Sequence, residues 1–204
     1  NPIAVAIPAG KYPAFVADFA TAPIARGKLD ILHDNGQEAP QDLVQDRNGK
    51  VSAQANILTQ GGAIRTLGGT YEKGSHKGFC LSAVVDILSA VLPGANFATT
   101  VVPTLGYIDK TDKPIGDNQG IGHVFAAIDI DAFQDVDAFK QKMDAWIDIM
   151  KQATPIPPHL SVVIPGEPEW QAEAQHQNQG YINISPTLAK EIQKLQETFE
   201  IKLM

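Results

Sequence analysis

A lysine stands at the opening of a long apolar run in "GGTYEKGSHKGFCLSAVVDILSAVLPGA", residues 68–95. Ser75 is a good N-cap type, which would put His76 and Lys77 in the first turn of a helix. Cations are unfavourable there, because a helix start is already partly positive. An anion at the same place would resolve the conflict. Unsatisfied N–H groups and a lysine together suit a phosphate or carboxylate, and Gly78 would let a ligand come close to the backbone. The plainer alternative is a solvated lysine on a helix end.

Other residues that could do chemistry are weaker signals. His76 and Cys80 are four residues apart and share a helix face, so a thiol nucleophile is conceivable. A cysteine buried in the core is the simpler expectation. Asp18 could cap a following helix or accept from a ligand hydroxyl. Asp86, inside the apolar run, fits a polar contact at a packing interface. His123 reads as structural. The five histidines and one cysteine show no metal-ligand spacing, so no metal is expected. The glycines around Lys77 lack Walker spacing. "GIGHVF" lacks the third Rossmann glycine and precedes a strand pattern instead of following one.

The elements that must position these groups alternate along the chain. "NPIAVAIPAG" and "AFVADF" read as buried strands. "DFATAPIARGKLDIL" reads as a helix capped by Thr21 or Asp18, with Ala20, Ile24, Lys28 and Ile31 on one side. Residues 33–57 are polar and turn-rich, and read as a loop. The run after Lys77 has apolar residues at 80, 81, 84, 85, 87, 88, 91 and 92, a helix with a wide buried face closed by Pro93 and Gly94. "TLGYIDKTDKPIGDNQGIG" is a second loop and "HVFAAIDI" a strand. Phe139, Met143, Trp146 and Met150 line an amphipathic helix, with Trp146 in the core. "LSVVI" and "YINIS" read as strands, "PGEPEW" opens a helix, and Ser185 and Pro186 start a last one with Leu188, Ile192, Leu195 and Phe199 on one face. The fold class is therefore α/β, a mixed sheet flanked by helices.

Composition bounds what this architecture serves. Of 204 residues, 44% are hydrophobic and 19% charged, enough for a sizeable core. The net charge of −7 argues against nucleic-acid and anionic-membrane partners. A single cysteine forms no internal disulfide, and no signal peptide or membrane span is read, so a cytoplasmic protein is expected. The chain opens without a methionine and is expected to be a piece of something longer or an edited form.

Several stretches, taken together and in order, resemble the type-2 malate/L-lactate dehydrogenase family. They are "NPIAVAIP", "DFATAPIARGKL", "LGG" ahead of "HKGFCLSAVVDILSAVLPGA", "GIGHVFAAIDIDAF" and "VVIPGEPEW". The resemblance implies an NAD- or NADP-dependent oxidoreductase acting on a small 2-hydroxy or 2-keto acid, with a nucleotide-binding fold that is not a Rossmann domain. It implies cofactor contacts from Ala14, Phe15, Val16, Ala17, Asp18, Phe19 and Ala20, from His76 and Lys77, and from Pro165, Gly166 and Glu167. It allows a homodimer. Residues 1–204 are read as one cofactor-binding core domain, shortened relative to the family. The family's acid/base histidine and substrate-clamping arginine are expected ahead of Asn1, so no catalytic residue is assigned. "WQAEAQHQNQGY" departs from the family by being rich in glutamine, with His176 alone where basic residues are usual. Two alternatives stand beside this reading: a truncated or engineered domain that keeps the fold without catalysis, and a thiol hydrolase using Cys80 and His76.

Overall fold

The computed structural model describes residues 2–101, 120–157, 159, 161–184 and 186–201. The chain divides into two compact units. One comprises Asn1–Ala6 and Val16–Asp135, the other Ile7–Phe15 and Val136–Met204. The coarse class is α/β, with helices and, among the described residues, two small sheets.

In the first unit, β1 (Pro2–Ile7) pairs with β2 (Phe15–Ala20) in a two-stranded ribbon, the end residues Ile7 and Phe15 belonging to the other unit. Both strands were expected from the sequence. Their burial was not met: neither contains a buried residue. A two-stranded ribbon has little to cover its faces.

Helix α1 spans Arg26–Asp34, starting later than expected. Neither Thr21 nor Asp18 caps it; Ala25 occupies the N-cap without a side-chain hydrogen bond. Thr21 and Ile24 are buried ahead of it, and Leu29, fully buried, is its anchor. Ile31, read on one side of the helix with Ile24, is exposed.

The core of this unit lies where a loop was expected. Strand β3 (Val44–Gln45) runs between β4 (Val51–Ser52) and β5 (Ala63–Ile64), antiparallel to both, with Val44 opposite Ser52 and Ile64. Val44 is fully buried and packs with Ile24, Leu29, Ala39 and Ile57. Strands of two residues are too short to show alternation, so a turn-rich composition hid them.

Helix α2 covers Ser75–Asp86 and continues through a π turn, Ile87–Val91, to Gly94 with its positive φ. The extent of the helix matches expectation and its burial does not. Phe79 is 64% exposed and Leu92 70%, and Val84, Ile87, Leu88 and Val91 are exposed as well. Only Gly78 and Ala90 are buried. A wide apolar face states what a helix needs, not what covers it. "HVFAAIDI" likewise forms no ladder: residues 123–130 are irregular and mostly exposed, because alternation yields a strand only against a neighbour.

The second unit carries α3 (Val136–Lys151), α4 (Glu167–Gln179) and α5 (Pro186–Phe199), all expected. Ile147 of α3 and Ile164 are its buried apolar residues among those described. Trp146, expected in the core, is 42% exposed. The described parts of "LSVVI" and "YINIS" form no strand, and the apolar face of α5 is largely open. Leu160, Ser185 and most of the loop expected over residues 104–122 lie outside the described residues. No described helix is long and apolar enough to cross a membrane.

Candidate functional site

Among the described residues a recess is formed in the second unit. It has a volume of about 260 Å³. Tyr12 and Trp170 supply aromatic walls, Ile147 and Ile164 an apolar floor, and Lys151 and Glu167 a charged rim. Three predicted site residues, Ala14, Pro165 and Glu167, line it.

Its walls are held by two sets of contacts. The first fixes the turn that opens α4. Gly166 sits at the N-cap with φ +92°, a conformation that favours glycine. The Glu167 carboxylate turns back: Oε2 accepts the Ile164 N–H at 3.1 Å, and Oε1 accepts from Lys151 Nζ at 2.6 Å and from Gln171 at 3.2 Å. Lys151, and then the Ile164 N–H, hold this carboxyl below its usual range. Trp170 donates its indole N–H to the Ala14 carbonyl at 3.4 Å.

The second set fixes the loop leading to Ala14. Asp144 Oδ1 accepts the Gly10 N–H at 2.9 Å, and Oδ2 accepts the Lys11 N–H at 2.9 Å. One turn on, Asp148 accepts from Lys11 Nζ at 2.7 Å and from the Tyr12 hydroxyl at 2.5 Å. The Lys11 N–H, helped by those of Gly10 and Tyr12, lowers the pKa of Asp144; the Lys11 ammonium and then the Tyr12 hydroxyl lower that of Asp148. The Asp148 hydrogen bond raises the pKa of both Lys11 and Tyr12. Phe15 packs edge-on against Trp146, ring centres 5.9 Å apart.

The remaining predicted residues lie in the first unit. Val16 and Ala17 are half-buried in β2, while Asp18, Phe19 and Ala20 are exposed. His76 and Lys77 stand in the first turn of α2, both exposed, with the His76 ring 5.3 Å from Tyr71. The start of α2 differs from expectation at three points. Gly74, in the left-handed region, is the N-cap, and Ser75 is the first helical residue. The helix start is less open than supposed, since the Ser75 N–H donates to Thr70 and the Lys77 N–H to Gly74. Gly78 is small for packing: it is buried, and a Cβ there would collide with the Leu67 backbone. Cys80, expected in the core, is exposed. Asp86 does make a polar contact, accepting the Ala98 N–H at 3.1 Å.

Sequence reasoning missed Tyr12, Asp144, Asp148 and Lys151. The available signal was the i, i+4 aspartate pair on α3 together with "GKYP", a glycine beside two side chains able to donate. Among the described residues no cluster of His, Cys, Asp and Glu could hold a metal ion.

Comparison with known proteins adds a lineage to this geometry. The family profile described as "Malate/L-lactate dehydrogenase" matches residues 1–193. A malate dehydrogenase of Pyrococcus horikoshii is 34% identical over 168 residues, covering 82% of this chain and 44% of the relative. An L-sulfolactate dehydrogenase of Methanothermobacter thermautotrophicus is 32% identical, covering 83% and 43%. The solved structure of the P. horikoshii malate dehydrogenase superimposes with a TM-score of 0.77 at 26% identity, over 100% of this chain and 52% of that one. That of a malate dehydrogenase from Entamoeba histolytica gives 0.81 at 24% identity, a likeness of fold. The chain spans about half the length of the curated relatives it matches.

Proposed function

Because the chain belongs to the malate/L-lactate dehydrogenase family, we propose that it is the nucleotide-binding part of an NAD- or NADP-dependent oxidoreductase acting on a small 2-hydroxy or 2-keto acid. The family match over nearly the whole chain carries the reading. A nicotinamide dinucleotide supplies the hydride chemistry of such a reaction. The residues present fit one in two respects. The recess between Tyr12 and Trp170 is apolar, aromatic-walled and large enough for a flat heteroaromatic ring. Lys77 offers an exposed cation at a helix start, suited to a phosphate.

In this reading Ala14, Phe15, Pro165, Gly166 and Glu167 are the cofactor contacts of the second unit, and Val16, Ala17, Asp18, Phe19, Ala20, His76 and Lys77 are assigned theirs by the family resemblance alone. Glu167 serves through the shape of its turn, since its carboxylate is already engaged by Lys151 and Ile164. A nucleotide fold distinct from the Rossmann type, a cytoplasmic location and a homodimer go with the family reading.

NADH fluorescence titration of the chain and of Lys77→Ala tests it. Losing a charge-assisted contact should weaken binding by about 1–3 kcal/mol. An unchanged dissociation constant in a folded variant would remove Lys77 from the site, and no binding by the parent chain would remove the nucleotide reading. A second reading is a domain that keeps the fold without turnover. Binding of NADH without reduction of pyruvate or oxaloacetate is its expected signature.

A further inference from the structure

We propose that Asp144 and Asp148 are positioning residues for the recess, acting through the loop Gly10–Lys11–Tyr12. The inference rests on the proposed nucleotide reading for its ligand, though not for its geometry. Neither aspartate lines the recess. Both grip the loop whose next residues do.

Three observations meet here. Asp144 takes two successive backbone N–H groups on its two oxygens, at 2.9 Å each, with Tyr12 N a further 3.5 Å from Oδ1. A carboxylate so held defines the orientation of the peptide as well as its place. Asp148, one turn along α3, takes the side chains of the same loop, Lys11 Nζ and the Tyr12 hydroxyl. That second grip turns the Tyr12 ring into a fixed wall. Third, Gly10 has no side chain where one would intrude: a Cβ there would lie 2.5 Å from Asp144 Oδ2. The loop passes against α3 as bare backbone, and glycine is what permits the approach.

The chain then runs through Pro13 to Ala14, whose carbonyl receives the Trp170 indole N–H. The two aromatic walls are thus tied to one short segment, Tyr12 through Asp148 and Trp170 through Ala14. A wall set before the ligand arrives spares the ordering cost at binding. Helix α3 supplies both aspartates from one face, because residues four apart are neighbours on a helix.

The test compares Asp144→Ala, Asp144→Asn and Gly10→Ala with the parent chain. Two readouts are followed: the NADH dissociation constant, and by NMR the exchange of the Gly10-position and Lys11 amides with the Trp170 indole N–H resonance. In Asp144→Ala the amides should exchange faster, the indole resonance should move, and the dissociation constant should rise about tenfold, the scale of a lost preorganised wall. Asp144→Asn keeps one acceptor oxygen and should recover part of each effect, a graded rescue that a loss of bulk stability would not give. Gly10→Ala should resemble Asp144→Ala by pushing the carboxylate aside. An indole resonance and dissociation constant that stay put while the amides become labile would overturn the proposal. Should the parent chain bind neither NADH nor NADPH, the nucleotide reading fails, and the Trp170 signal still decides whether Asp144 sets the wall. If Asp144→Ala does not fold, Asp144→Asn and Gly10→Ala carry the same comparison.

Discussion

Cys80 lies in α2 with its thiol open to solvent, four residues beyond an exposed His76. The two share a helix face, but among the described residues no hydrogen bond joins them, and the His76 ring lies against Tyr71 instead. A nucleophile needs its base within reach. The thiol is therefore accessible without being activated by a partner. In dilute native protein, iodoacetamide should modify Cys80 stoichiometrically at the rate of a free peptide thiol. A rate far above that would revive the thiol-nucleophile reading; labelling only after unfolding would show the thiol to be covered. At the same scale, three described carboxyls of the second unit lie below their usual range: Asp144 through the Lys11 N–H, Asp148 through the Lys11 ammonium, and Glu167 through Lys151. A lowered carboxyl contributes stability that is present above its unfolded pKa and lost as pH falls through its folded pKa. The second unit should therefore lose stability below about pH 4, where unfolded carboxyls take up protons. Urea midpoints across that range should fall less steeply in Asp148→Asn than in the parent; parallel curves would show that these contacts do not matter to folding.

Among the elements, the turn into α4 is the place where sequence and structure agree most fully. "PGEPEW" announces a glycine at the N-cap, a proline in the first turn and acids where the helix start is positive, and the structure has each of them. Glu167→Ala should cost about 1 kcal/mol in urea unfolding, the usual scale for a lost hydrogen bond from the Ile164 N–H and a partly exposed ion pair with Lys151. Gly166→Ala should cost roughly 1–2 kcal/mol, because φ +92° strains any residue with a Cβ. No change in either midpoint would show the turn to be held by packing alone. The helices as a group were legible because 3.6-residue periodicity is local. Their burial was not, as the open faces of α2 and α5 show. The small sheet around Val44 escaped notice because two-residue strands have no period to read. "HVFAAIDI" misled for the opposite reason: it alternates well, yet among the described residues no strand lies beside it. Of the residues lining the recess, the resemblance had named Ala14, Pro165 and Glu167. The clamp from α3 was missed because the hydrogen bond that the Gly10 N–H donates to Asp144 spans 134 residues of sequence.

At the scale of the whole molecule, the balance of surface decides how the chain should behave alone. Among the described residues many large apolar side chains are exposed. Phe125 is 93% exposed and Phe133 80%, besides the open side of α2. Contiguous apolar surface on a soluble chain is a contact surface or a liability to association. At about 25 cal/mol per Å², covering even part of it would outweigh the stability that a lone domain of this size usually holds in reserve. The net charge of −7 opposes self-association only weakly at ordinary ionic strength, where charges are screened beyond about 8–10 Å. The chain by itself should therefore bind the dye ANS and sediment as a species whose mass rises with concentration across the micromolar range. Added sulfate should strengthen that association, because excluded salts favour apolar burial, whereas an association driven by charge would weaken with salt. A monomer that sediments unchanged over that range and leaves ANS dark would mean that these side chains are covered within the chain itself, and that the open faces of α2 and α5 described above do not persist in solution.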